Sequence, residues 1–161
     1  MYKLGSRSKE NMEGLHPLLV QVVEKAIGLT TQDFGVAAKA VRTAEEQNKL
    51  YQRGRTKPGP KVTDKDGYKN KSNHQVTADG YGHSVDLTAW TGNAWDFDTW
   101  DRYFDIAWAM RQAAKKLGVR LRWGGNWNED FMRCESRADV AAMHKRYQGK
   151  LPDGPHFELT A

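Results

Sequence analysis

From Pro17 to Ile27 the apolar residues Leu18, Leu19, Val22, Val23 and Ala26 recur at helical spacing, with polar residues filling the opposite face. That period predicts an amphipathic helix whose role is packing. A short strand is expected next, over Val36–Ala40, ending so that Arg42 lies at its C-terminal edge. Thr43 followed three residues later by Glu46 forms a capping box, so a second helix should run from about Ala44 to Gln52 and stop at Gly54. The period changes to two over Ser84–Ala89, which reads as a strand with Val85 and Leu87 on one side and Asp86 on the other. Beyond the turn-rich segment Trp90–Asp98, the residues Trp100, Tyr103, Phe104, Ala107, Ala114 and Leu117 trace one face of a long helix that Gly118 ends. Val119–Trp123 reads as a strand, Asp139–Tyr147 as a short helix and His156–Leu159 as the last strand. Helices and strands mix without regular βαβ repetition, which predicts an α+β fold with a small, mainly antiparallel sheet flanked by helices.

One stretch has no period. Residues 55–71 are rich in Lys, Gly, Pro and Asp and are longer than most connections, which favours a functional loop over an idle one. Within it Asp64-Lys65-Asp66-Gly67 begins like a calcium loop, but the later ligands of such a loop are missing and a plain turn is expected. The length of 161 residues fits one domain, taken as residues 1–161, with no separate binding module. Apolar residues are only 39% of the chain, yet six tryptophans and six tyrosines supply enough bulk for a globular core.

Charge narrows the partners. The chain carries +5 formally, with a pI near 9.3, so its surface should attract polyanions. No helix-turn-helix, zinc-finger or aromatic RNA-binding signature accompanies that charge, so nucleic acid is not expected as a partner, and another anionic polymer or surface suits the charge equally well. Cys134 is the single cysteine, which excludes an internal disulfide and reads as structural. The start, Met1 to Ser6, has no apolar signal core and no stretch is long enough to span a bilayer, so neither export by a signal peptide nor membrane insertion is expected.

The residues able to do chemistry fall into four groups. They are Val41-Arg42-Thr43-Ala44-Glu45-Glu46-Gln47, then Ser72-Asn73-His74 with Gly82-His83-Ser84-Val85-Asp86, then Arg122-Trp123-Gly124-Gly125-Asn126-Trp127, and last Asp153-Gly154-Pro155-His156-Phe157-Glu158-Leu159. Two histidines and a carboxylate from separate segments are the usual ligand set of a hydrolytic zinc, which leaves its fourth position to water. Carboxylates Asp153 and Glu158 remain as rivals for the base that takes a proton from that water, Glu158 projecting to the same face of its strand as His156.

In this order, the four groups resemble the zinc D-alanyl-D-alanine carboxypeptidase and L-alanyl-D-glutamate peptidase family. Within it, they are most similar to single-domain bacteriophage endolysins that cut peptidoglycan stem peptides. The likeness covers about Asp33 to Leu159. It implies a hedgehog or D-Ala-D-Ala peptidase-like fold with one Zn2+ on the sheet, held by His74, Asp86 and His156. It implies Asp153 as general base, with Glu158 supporting a ligand histidine, and Arg42 as the group that steadies the oxyanion. Gln47 is structural in this scheme, Ser72 and Trp127 contact substrate, and Trp123 belongs to the core. One departure is an insertion, Gln75 to Tyr81, between the histidine and the aspartate, and His83 three residues before Asp86 is the alternative first ligand.

The expected activity is therefore hydrolysis of the L-alanyl-D-glutamate bond of peptidoglycan by a monomer made in the host cytoplasm and released to the wall, causing lysis. A D-alanyl-D-alanine carboxypeptidase is the alternative of the same family, and the missing export signal speaks against it. From another class, the alternative is a non-catalytic, zinc-stabilised module that binds the envelope.

Overall fold

The computed structural model describes residues 1–160, and its elements are placed by where apolar side chains find partners. Helix α1 spans Ser6–Asn11 and helix α2 spans Pro17–Ile27, the latter begun by a His16 ring that accepts a hydrogen bond from the Leu18 amide and by Pro at the first helical position. Its inner face, Leu19, Val22, Val23, Ala26 and Ile27, is buried against α4, Trp100–Leu117. That long helix ends at Gly118 in the left-handed conformation, φ 67°, which glycine adopts without a Cβ penalty. Leu117, read as part of its buried face, is instead 37% exposed, because the helix has already left the core at its last turn. Helix α3, Ala44–Gln52, carries both hydrogen bonds of the Thr43–Glu46 capping box, a device worth about 1 kcal/mol.

Two three-stranded antiparallel sheets complete the fold. One has the order β1–β3–β4, from Phe34–Gly35, Thr88–Trp90 and Trp95–Asp96; the other has the order β2–β6–β5, from Ser84–Asp86, His156–Leu159 and Leu121–Trp123. The single strand expected over Ser84–Ala89 is thus two strands in different sheets. The break falls at Leu87, whose amide bonds to the Pro155 carbonyl instead of a ladder partner. Similarly, Val36–Ala40 is not a strand: pairing with β3 ends at Gly35, and the backbone beyond is taken up by side chains of α1, Ser8 Oγ accepting from the Val36 amide and Asn11 Nδ2 donating to the Val36 carbonyl. Helix α5, Arg137–Lys145, starts two residues before the expected Asp139 because Ser136 caps it through the Asp139 amide.

Trp123, Phe131 and Phe157 are fully buried together, with ring centroids 5.7 and 6.1 Å apart along the chain Trp123–Phe131–Phe157. Each such side chain contributes about 1.5–3 kcal/mol by leaving water. This cluster fixes the back of the second sheet, and the site lies on the residues that alternate with it. Phe157 points into the core, so its neighbours His156 and Glu158 point out of it. Cys134 is buried here too, and burial pushes its thiol up to about 11, in keeping with an inert core group. No helix among the described residues is long and apolar enough to cross a membrane.

Candidate active site

Cross-strand register brings the first ligands together. Asp86 sits directly opposite His156 in the β2–β6 pair, so their side chains share one face of the sheet. His74 arrives from the segment after the long loop, where its Nδ1 donates to the Ala40 carbonyl at 2.9 Å and leaves the Nε2 lone pair facing the sheet. The resulting donor atoms form a nearly equilateral triangle: His74 Nε2 to His156 Nδ1 is 3.2 Å, His156 Nδ1 to Asp86 Oδ1 is 3.3 Å, and His74 Nε2 to Asp86 Oδ1 is 3.4 Å. Tetrahedral coordination at metal–ligand distances of about 2.0–2.1 Å requires donor separations of about 3.3–3.4 Å, so the triangle has the dimensions a small divalent cation needs. Asp86 Oδ1 is buried and makes no hydrogen bond, as expected of an atom reserved for a metal. The donor set of two imidazoles and one carboxylate fits.

The charges around the triangle agree with that reading. Burial acts to raise the Asp86 carboxyl, but the imidazoles of His74 and His156 override it and hold it well below the usual carboxylate range. Burial likewise opposes a charge on His156, yet the facing carboxylates of Asp86 and Glu158 raise it to about 10. A metal ion competes with this proton for the same lone pair, so binding the metal releases the proton.

His83 is elsewhere. Its Nε2 lies 2.7 Å from Asp79 Oδ2 and 3.2 Å from Thr77 Oγ1, inside the inserted segment, and it belongs to no cluster with the other three. The insertion thus folds on itself and leaves the histidine–aspartate geometry intact.

Around the triangle stand the other expected residues. Arg42 does not end a strand but pairs as an isolated bridge with Gln75; its Nη2 lies 3.3 Å from Asp86 Oδ2 and its Nη1 donates to Gln47 Oε1 at 3.2 Å. Gln47 is fully buried and also donates to the Lys65 carbonyl, so it fastens both Arg42 and the long loop. Asp153 lies in the turn before β6, where its amide donates to the Gly124 carbonyl at 2.7 Å and its carbonyl accepts from the His156 amide at 3.2 Å. Gly124 is required there, since a Cβ would collide with the Asp153 carbonyl and come within 2.9 Å of the Trp127 ring. Burial, then the Asp86 charge, push the Asp153 carboxyl up to about 6. Ser72 Oγ accepts from the His74 amide at 3.2 Å, and the Trp127 ring stands 5.0 Å from the His156 ring. Trp123 is core, its indole donating to the Gly154 carbonyl.

Sequence reasoning passed over one network. Glu158 Oε2 accepts from Asn73 Nδ2 and, at 3.4 Å, from Ser84 Oγ, and lies 3.5 Å from His156 Nε2; its Oε1 accepts from Arg122 Nη1 at 3.2 Å. Arg122 also donates twice to the Trp127 carbonyl and lies 4.9 Å from that ring. Only the register of β5 and β6 brings the pair together: Arg122 and Glu158 sit opposite each other, and opposite charges so placed attract.

Known proteins resemble this chain in sequence and fold. The phage T5 protein named L-alanyl-D-glutamate peptidase is 25% identical over 159 residues, 99% of this chain and 98% of that one. The crystal structure of the Serratia marcescens L-Ala D-Glu endopeptidase ChiX superposes with a TM-score of 0.65 at 29% identity, covering 96% of this chain and 87% of that one. The profile of the phage L-alanyl-D-glutamate peptidase family matches residues 1–160, and the chain belongs to that family.

Proposed function

We propose that this protein is a zinc-dependent peptidoglycan endopeptidase that hydrolyses the L-alanyl-D-glutamate bond of stem peptides and so lyses the host. The observation that carries the reading is the triangle of His74, Asp86 and His156, with an arginine and a half-buried carboxyl beside it, in a chain of this family. His74 Nε2, Asp86 Oδ1 and His156 Nδ1 would hold the metal. When bound, zinc polarises a carbonyl and lowers the pKa of a water to about 7.

The chain supplies the rest. Asp153, raised toward neutrality by burial and by Asp86, takes a proton from the attacking water and returns it to the leaving amine of D-glutamate. Arg42 keeps its planar guanidinium fixed between Gln47 and Asp86, where it can donate to the carbonyl oxygen as negative charge develops. Ser72 and Trp127 border the cleft and hold the peptide. Glu158, tied by Asn73, Ser84 and Arg122, orients His156 and does not act as base. On this reading residues 1–161 act as one catalytic unit, as a monomer on peptidoglycan, made in the host cytoplasm and released to the wall.

Mass spectrometry of fragments from purified peptidoglycan tests it. Fragments with a new N-terminal D-glutamate, abolished by chelation and restored by zinc, are expected. Release of free D-alanine would point to the carboxypeptidase, and intact peptidoglycan under zinc would point to a binding module.

A further inference from the structure

The positive charge of this protein is not spread over its surface. Residues 53–71 hold seven Lys and Arg against two Asp, a surplus of five, while the whole chain holds 25 against 20; the other residues balance at 18 against 18. One loop therefore carries the entire net charge. Arg55 is used internally, its guanidinium bonded to the Tyr51 and Thr63 carbonyls and to Asp64. The other six, Arg53, Lys57, Lys61, Lys65, Lys69 and Lys71, are exposed and none has an acidic partner within ion-pair distance.

The loop is held in place as well as charged. Gln47 Nε2 donates to the Lys65 carbonyl, Asn48 Nδ2 to the Asp66 carbonyl and Gln75 Nε2 to the Gly67 carbonyl. A Cβ on Gly67, at φ 89°, would collide with the Ala44 carbonyl and lie 3.0 Å from the Gln47 Cβ, so no side chain fits. Two of these anchors, Gln47 and Gln75, are buried and reach Arg42 directly, the first by a side-chain bond and the second by backbone pairing. At its end the loop runs straight into Ser72 and His74. There Lys71 lines a hollow of about 410 Å³ with Ser72 and Asn73, and across Val76 a second hollow of about 400 Å³ is lined by Lys39, Arg42 and Gln75.

We propose that this loop is the docking surface for the anionic stem peptides of the substrate polymer, binding their carboxylates and feeding one stem peptide into the cleft. The identity of the partner rests on the peptidase reading and on simple chemistry. A glutamate joined through its amine to alanine has two carboxyl groups, and continuing the chain uses at most one. Every uncut stem peptide thus presents an anion next to the scissile bond, and a meshwork of them is a polyanion. Continuity of the cationic loop with Ser72 and the metal triangle favours this partner over nucleic acid, for which the one exposed aromatic within the loop, Tyr68, offers no row of stacking surfaces.

The experiment compares two fourfold variants of equal net charge. One neutralises the loop by Lys57→Gln, Lys61→Gln, Lys65→Gln and Lys69→Gln; the other neutralises Lys9, Lys25, Lys116 and Lys145, exposed and unpaired outside it. Binding to purified insoluble peptidoglycan is measured in an Asp153→Asn background so that turnover does not consume the matrix, and hydrolysis of a short soluble stem peptide is measured with Asp153 intact. The loop variant should bind about tenfold or more weaker, as expected when a steering field is removed, with a flatter salt dependence. The control variant should bind nearly as the parent does, and kcat on the soluble peptide at saturating concentration should stay within about twofold in both, since the changed groups lie outside the reacting atoms. Peptidoglycan whose carboxylates have been amidated should bind the parent as weakly as native peptidoglycan binds the loop variant. Equal losses in both variants, unaltered binding by the loop variant, or normal binding to amidated peptidoglycan would each overturn the proposal. So would a loop variant that keeps its hold on peptidoglycan but loses duplex DNA. Failure of the parent to cleave the soluble peptide would instead overturn the peptidase reading and leave the binding result standing.

Discussion

The turn that carries Asp153 and the strand end that carries Glu158 flank the same histidine, and the fold drives their carboxyl groups in opposite directions. Both are taken out of water, which by itself raises a carboxyl pKa. For Asp153 burial prevails, helped by the Asp86 charge, and the group sits at about 6. For Glu158 the nearby His156 imidazole, the hydrogen bond from Asn73 and the charge of Arg122 more than cancel burial, and the group falls to about 2. A carboxylate with its lone pairs already claimed is a fixed anchor, whereas one left near neutrality can exchange a proton. On the proposed mechanism, two acids of one segment thereby acquire different roles through their neighbours alone.

Removing the base should have the largest effect. Asp153→Asn should keep the metal and the fold and lose about two to four orders of magnitude in kcat, the usual contribution of a general base. Metal content and turnover on a soluble stem peptide check it. Near-normal turnover in the metal-loaded variant would erase the contrast and move the base to Glu158.

Next comes the anchor. Glu158→Gln keeps the shape but removes the charge that faces His156 Nε2, so metal affinity should weaken about 10- to 100-fold, while kcat at saturating metal falls much less than in Asp153→Asn. Competition with a chelator gives the affinity. Loss of turnover at full occupancy with unchanged affinity would reverse the two assignments.

A third outcome concerns pH. Asp153 must be ionised to accept a proton, so kcat/KM should rise with pH through a midpoint at or below about 6, because a bound cation adds to His156, His74 and Arg42 in lowering that pKa. The limb should vanish from the residual activity of Asp153→Asn. If it persists there at the same midpoint, another group controls it.

How much of this was legible in the sequence follows the range of the interactions involved. The capping box of α3 and the left-handed Gly118 are decided within a few residues, and they stand where the sequence puts them. The split at Leu87, the short β4 and the failure of Val36–Ala40 to pair are decided by residues far along the chain: Pro155, the Trp95 ring against Trp90, and Ser8 with Asn11. Helix α1 escaped notice because it has no side-chain cap and buries only Ser8. In the site, the groups with a motif were readable, and His74 rather than His83 joins the triangle. The hold that Asn73, Ser84 and Arg122 have on Glu158 was not readable, since it exists only once β2, β6 and β5 are in register.

The smallest effect tests the outer end of that hold. Arg122 is the one member of the Glu158 network that also reaches the cleft wall, through two bonds to the Trp127 carbonyl and contact with its ring. Its guanidinium is partly exposed, which screens its charge, and Glu158 keeps Asn73 and Ser84 without it. Arg122→Met should therefore leave metal affinity within about threefold of the parent, below the loss expected for Glu158→Gln. Trp127 has no comparable reserve, because its other polar tie is a single indole bond to the Leu151 carbonyl. Freed of the guanidinium, the wall should hold a stem peptide less firmly, raising KM about three- to tenfold with kcat little changed, the pattern of a lost binding contact. Arg122→Lys should recover little of it, since an ammonium cannot bridge a carboxylate and a carbonyl in a planar fork. A fall in metal affinity matching that of Glu158→Gln, with KM unmoved, would mean that Arg122 serves the metal anchor and not the wall.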